Sequence, residues 1–184
     1  MIILSKFWLY NKLMVVILHS VRSLHNVGSI FRTADAAGIE KLYLCGITPT
    51  PFDQFGAIRP QVAKVSLGAE KSVAWEKVVS TSRLIDRLKK DGYKILALEQ
   101  ASGSVPYQRF PKPQTLKSKT CLLVGHEVKG LPPSILRKTD RILEIPMRGA
   151  MVRQAHHPRR SGRGKESLNV GVAFGIAVFK LIYG

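Results

Sequence analysis

Residues 15–45 read VVILHSVRSLHNVGSIFRTADAAGIEKLYLC, and this stretch decides the fold class. Val15-Val16-Ile17-Leu18 is a short continuous apolar run, the signature of a strand buried on both faces. A helical pattern follows over about 26–37. Asn26 is its candidate N-cap, Ile30, Phe31 and Ala34 fall on one face, and Gly38 supplies the stop. A second apolar run, 41–45, then reads as another strand. The alternation continues outward. A turn-rich loop carries Pro49, Pro51, Gly56 and Pro60, and a helix over about 80–90 sets Leu84, Ile85 and Leu88 on one face. Strands are expected at 93–98, 121–124 and 142–145, and a last helix at about 167–182. Strands alternating with helices predict an α/β domain with a mostly parallel sheet flanked by helices.

The chain has 184 residues with 29 Lys and Arg against 12 Asp and Glu, a formal net charge of +17. Its length suits one domain with a short extension. A chain of this size buries roughly 70% of its unfolded surface, so no metal or disulfide staple is required. The charge surplus points to a polyanion, with nucleic acid ahead of a membrane surface. Cys45 and Cys121 each sit in an apolar run, which predicts buried, reduced thiols and a cytoplasmic setting. Lys6 and Lys12 interrupt the apolar start, so it falls short of the roughly 18 uncharged residues of a membrane span. Met14 stands directly before the first strand, and residues 1–13 read as an extension or an upstream mis-called start. The last helix, SLNVGVAFGIAVFKLIY, is apolar on nearly every side, which predicts a partner chain and most simply a symmetric dimer.

Common site signatures fail here. Gly162-Arg163-Gly164-Lys165-Glu166-Ser167 has Glu166 where a phosphate-binding loop needs a hydroxyl and Arg159 where it needs the leading Gly. His156 and His157 are chain neighbours without a Cys, Asp or Glu nearby, so no metal site is expected. Three segments remain. In the first, His25 to Ala34, a glycine (Gly28) in the first helical turn would admit a ligand and Arg32 could grip a phosphate in bidentate fashion. In the second, Leu123 to Leu131, a strand runs into a loop with Glu127 between Gly125 and Gly130, at the strand end where α/β sheets bind ligands. In the third, Ile145-Pro146-Met147-Arg148-Gly149 and, after a gap, Lys165-Glu166-Ser167-Leu168-Asn169-Val170 form an apolar wall and a Ser-capped helix start.

In this order the three segments resemble the motifs of the SPOUT superfamily, specifically the TrmH-type RNA ribose 2′-O-methyltransferases of the SpoU family. The resemblance covers about 14–184, with a further match at Lys64-Val65-Ser66-Leu67-Gly68-Ala69-Glu70. It implies a C-terminal trefoil knot, S-adenosyl-L-methionine as cofactor and an obligate homodimer. It places Gly125, Ile145, Met147 and Leu168 around the cofactor, and Arg32 with Asn26 on the substrate ribose and phosphate. Glu127, Ser167 and Asn169 match the remaining polar positions. RNA is the implied substrate, with tRNA preferred over rRNA.

The chain departs from the family pattern between Gly149 and Lys165. The segment 150–164, AMVRQAHHPRRSGRG, holds four of the surplus arginines and no acid, and it reads as an insertion in the knot loop. Without it the remaining charge is still +13. A rival reading follows from it, in which the scaffold still binds RNA but is catalytically weak or inactive. A membrane-anchored role ranks last.

Overall fold

The computed structural model describes residues 14–110, 119–147 and 167–184. Seven parallel strands form one sheet: β1 (Met14–His19), β2 (Lys41–Cys45), β3 (Ala74–Val78), β4 (Lys94–Leu98), β5 (Val105–Pro106), β6 (Thr120–Val124) and β7 (Arg141–Glu144). The helices are α1 (Leu24–Ala37), α2 (Pro60–Ser66), α3 (Ala69–Ser72), α4 (Thr81–Lys90), α5 (Pro133–Leu136) and α6 (Val170–Tyr183). The sheet order is β3-β2-β1-β6-β4-β7-β5, so β6 separates an outer half built from β1 to β3 from the rest. β1 and β6 lie side by side at the boundary between the halves, where α/β sheets open a crevice beyond the strands' carboxyl ends. The register aligns Leu18 with Val124, and Val124 and Leu143 with Leu98. Residues following these strands therefore emerge in one row.

Both faces of the sheet are covered, as parallel sheets require. Val16 and Leu18 point to a core shared with Phe31 of α1 and Phe174 of α6. Val15 and Ile17 point the other way, to Leu84, Ile85 and Leu88 of α4. Cys45 and Cys121 are free and buried, and burial pushes the Cys45 thiol up to about 11.

The structure corrects several expectations. Helix α1 starts at Leu24, and its N-cap is Ser23, whose side chain accepts from the Asn26 N–H; Asn26 lies inside the first turn. The last helix starts at Val170, capped by Asn169 rather than Ser167: Asn169 Oδ1 accepts from Gly171 N–H at 2.9 Å and from Val172 N–H at 3.4 Å. Gly28 does not face a ligand. It is buried against α2, where a Cβ would lie 2.9 Å from the Val62 carbonyl oxygen. Pro60 opens a helix, as proline does at a first helical position, instead of closing a loop. Strand β3 was not expected because it is a polar edge strand, with Glu76 paired to Lys41 at 2.7 Å and to Arg87 at 3.5 Å. Residues 1–13, the segment 150–164 and the knot path through it lie outside the described residues.

Helix α6 is buried along one stripe only. Phe174, Ala177, Val178 and Leu181 are in the core, while Val172, Ile176, Phe179 and Tyr183 are 36–52% exposed. These four recur at the spacing of a single apolar seam. None of the described helices is long and apolar enough to cross a membrane.

Two glycines make opposite predictions. Gly28→Ala gains roughly 1 kcal/mol in helix propensity, but its Cβ meets backbone that cannot yield, an overpacking cost of about 1–3 kcal/mol. Gly175→Ala meets only Thr33 Cγ2, at 3.7 Å. Urea unfolding should show the first variant destabilised and the second neutral or stabilised.

Candidate functional site

The site assembles at the carboxyl edge of β1, β6, β4 and β7. After β6, Gly125 is buried, and a Cβ there would lie 2.8–2.9 Å from Gly130 and Leu131, so only glycine allows the following loop to fold back on itself. Inside that loop His126 O accepts from Gly130 N–H at 2.9 Å, and His126 Nδ1 accepts from Val128 N–H at 3.0 Å and Lys129 N–H at 3.3 Å. With Nδ1 accepting, the neutral ring carries its proton on Nε2. The loop projects Glu127 towards the start of α1.

Glu127 is the hub. Its Oε2 accepts from Arg22 N–H at 3.1 Å, and its Oε1 accepts from Ser23 N–H at 3.0 Å and from Asn26 Nδ2 at 3.0 Å. Asn26 Oδ1 in turn accepts from Asn169 Nδ2 at 2.9 Å. Asn169 then caps α6. An ionised carboxylate has no donor, so the Asn26 amide must face it with nitrogen and offer oxygen to Asn169. From the other end, the helix N–H groups demand the Asn169 oxygen and leave its nitrogen for Asn26. Both ends impose the same polarity on the chain of bonds. Burial alone would raise the Glu127 pKa, but the bonds from Ser23, Asn26 and Arg22 outweigh it and hold the carboxyl below its usual value.

The structure thus brings together Asn26, Glu127 and Asn169 from the three segments. Arg32 lies six residues beyond Asn26, about 9 Å further along α1. It is exposed and makes no hydrogen bond or ion pair among the described residues. Ser167 is likewise exposed and unpaired among the described residues. Ile145, Met147 and Leu168 are half-buried; the first two continue β7, and Leu168 directly precedes Asn169. They supply apolar surface at the carboxyl edge of the sheet.

Three further residues shape this edge without having been singled out in the sequence. Glu99, the first residue beyond β4, accepts from Leu131 N–H at 2.7 Å and Gln100 N–H at 3.0 Å, tying two neighbouring loops. Thr48 is fully buried, accepts from Val21 N–H at 3.0 Å and donates to Leu18 O at 2.9 Å. Lys77 donates to the Gly46 and Thr48 carbonyls. Glu99 carried a signal, its place at a predicted strand end; Thr48 and Lys77 act through a turn that no pattern encodes.

The match to a model of the SpoU rRNA Methylase family spans residues 13–152, which covers the first two segments and the beginning of the third. The chain belongs to this family. Among its relatives is the 23S rRNA (guanosine-2'-O-)-methyltransferase RlmB of Pseudomonas aeruginosa, 27% identical over 169 residues, covering 92% of this chain and 58% of the relative. An AdoMet-bound rRNA methyltransferase from Sinorhizobium meliloti superposes with a TM-score of 0.73 at 27% identity, over 91% of this chain and 55% of that one. A structure concerned with the 2-OH methylation of C/U34 on tRNA matches with a TM-score of 0.67 at 26% identity, over 91% of this chain and 93% of that one. This SpoU-family chain therefore spans a little over half the length of RlmB and of the Sinorhizobium protein.

Two tests address the hub. Asn26→Asp sets a second carboxylate against Glu127 and should cost about 2 kcal/mol or more in urea unfolding, with the double variant Asn26→Asp/Glu127→Gln recovering part of the loss. Because the folded pKa of Glu127 is lowered, its contribution to stability is present above the unfolded carboxyl pKa and is lost as pH falls through the folded value. The stability gap between wild type and Glu127→Gln should therefore narrow on acidification below about pH 4; a gap that widens would contradict the assignment.

Proposed function

We propose that the chain is an S-adenosylmethionine-dependent methyltransferase acting on a ribose 2′-hydroxyl of RNA, working as a cytoplasmic homodimer. The observation that carries the reading is the Glu127–Asn26–Asn169 relay, which locks three motif segments of a SpoU-family chain around one strand edge, with Arg32 further along α1 and unpaired among the described residues. The names of the matched relatives support the substrate class. The match that spans 93% of its own chain concerns tRNA, which favours tRNA over rRNA.

The residues at the edge suit S-adenosylmethionine. Gly125 keeps the loop backbone close, and half-buried Ile145, Met147 and Leu168 offer the apolar contact that an adenine ring needs. When bound, S-adenosylmethionine supplies an electrophilic methyl group on a sulfonium. The chain's own part is to position the ribose hydroxyl in line and to handle its proton. Positioning of this kind is worth roughly 7–11 kcal/mol when the geometry is good. A guanidinium has five donors and no acceptor, so Arg32 is poorly suited to take the proton. We assign it the clamp on the neighbouring phosphate, where its planar fork lowers the hydroxyl pKa, with a phosphate oxygen or a transiently neutral Arg32 taking the proton. Ser167 and Asn169 stand at the same edge.

A second copy of the chain is the proposed cover for the seam of Val172, Ile176, Phe179 and Tyr183. Helix α6 lies against α1 through Gly171 and Gly175, whose missing side chains face Ser29 and Thr33, so a partner on this seam sits beside the helix that carries Arg32. Arg32 would then act across the interface. As for the segment 150–164, the residues on its two sides support a tolerated insertion over a disabling one. Asn169 still reaches Asn26, and lengthening the 146–168 connection from 8 to 23 residues costs only about 0.9 kcal/mol of closure entropy.

Three outcomes follow. Arg32→Lys keeps the charge and loses the planar fork, so methyl transfer to RNA should fall by tenfold or more with unchanged S-adenosylmethionine affinity; near-normal activity would remove the clamp. Ile176→Asp with Phe179→Asp should convert a dimer to a monomer in sedimentation velocity. Deleting 150–164 should change S-adenosylmethionine affinity by calorimetry no more than about fivefold, the equivalent of that entropy cost. A gain of tenfold or more would establish the inactive, RNA-binding reading.

A further inference from the structure

At the opposite, amino-terminal edge of the sheet a cleft of about 1080 Å³ opens around the starts of β4 and β7. Lys94, Arg109 and Arg141 line it, all exposed, and none of them meets a carboxylate among the described residues. The one acid in the lining is already used: Asp140 Oδ1 pairs with Lys89 at 3.0 Å and Oδ2 accepts from Ile95 N–H at 2.7 Å. Glu40 and Asp91 are near enough to raise the Tyr93 phenol, after burial itself, yet neither lines the cleft. The cations stand alongside aromatic surface. Tyr93 and Phe110 both line the cleft and are half-buried, and Lys119 sits 5.4 Å above the Tyr93 ring.

Three like charges around one concavity repel one another unless an anion is present, and rings interleaved with them suit a base as well as a phosphate. An acidic peptide would use the charges and leave the rings idle. We propose that this cleft is a second RNA-binding site, taking a single-stranded segment of the substrate with its phosphates on Lys94, Arg109 and Arg141 and a base stacked on Phe110. It stands one strand length, about 17 Å, from the carboxyl edge. The cleft therefore holds RNA remote from the reacting ribose and supplies affinity rather than chemistry. The inference rests on the RNA reading of the carboxyl-edge site.

The experiment uses the full chain, fluorescein-labelled bulk tRNA and a salt titration of the dissociation constant. The triple variant Lys94→Gln/Arg109→Gln/Arg141→Gln should flatten the log–log salt slope by about 2, since each single-strand phosphate contact contributes about 0.7, and should weaken binding about fourfold per contact at 0.15 M salt. Lys71→Gln/Arg83→Gln, which removes exposed cations elsewhere, should leave the slope unchanged. Phe110→Leu keeps the apolar contact to the core, and it should weaken binding fivefold or more without moving the slope. S-adenosylmethionine affinity should stay constant throughout, which excludes unfolding as the cause. If wild type binds tRNA and the triple variant binds with the same slope, the cleft proposal alone fails. If wild type binds no tRNA at low salt, the RNA reading fails with it. Displacement of tRNA by poly-L-glutamate at equal charge concentration, with Phe110→Leu neutral, would assign the cleft to acidic protein instead.

Discussion

The arrangement of the carboxyl edge depends on one ionised carboxylate that can only accept. Glu127 takes the N–H groups of Arg22 and Ser23 at the entrance to α1, where the dipole and the unpaired amides of a helix start favour negative charge. It also takes the Asn26 amide, and by doing so decides which way Asn26, and then Asn169, must face. The bond is worth more than its length suggests because it joins segments more than one hundred residues apart in the chain. It aligns α1 with the loop after β6 and, through Asn169, with α6. Losing the charge does not simply remove a contact. It frees the Asn26 amide to rotate and leaves the Arg22 and Ser23 N–H groups at the entrance to α1 without their acceptor.

Arg32 is governed by the opposite condition. Everything near Glu127 is satisfied internally, whereas Arg32 has five donors and no partner among the described residues. Its guanidinium is held on a rigid helix whose start is fixed by a closed polar network, and no described residue binds it. This division separates structure from chemistry: the relay fixes where α1 points, and the free cation is what it presents. The described residues on either side of 150–164 are anchored independently, Ile145 by the end of β7 and Asn169 by Asn26.

The central strands were legible because they are buried on both faces and leave an uninterrupted apolar run; β2 falls on 41–45 as expected, and β1 extends its expected run by one residue at each end. The polar edge strand β3 has no such run, since its outer positions make ion pairs instead of core. Caps were harder. Ser23 and Asn26 are both good capping residues three apart, and which one caps depends on Glu127 claiming the Asn26 side chain, a contact across 101 residues. Gly28 was open to the same ambiguity, because a glycine kept for a ligand and one kept for a helix crossing look alike until α2 is seen to lie against it. The resemblance supplied the membership of the site, and the structure supplied its wiring.

Charge and geometry together explain why one small sheet can serve a long polymer. At the carboxyl edge Glu127 and Glu99 are both hydrogen-bonded to neighbouring loops, while Ser167 is exposed. The net charge of +17 includes four arginines in the segment 150–164. Part of it collects at the amino edge, where Lys94 opens β4 and Arg141 opens β7, the same strands whose far ends lead to Glu99 and Ile145. In a parallel sheet all strand starts share one edge and all strand ends the other, so residues that begin and end a strand are separated by its full length. Basic residues at strand starts thus form a patch of their own by topology alone. A polyanion longer than that separation can touch both edges, and only a binding surface remote from the reacting atoms can add affinity without crowding them.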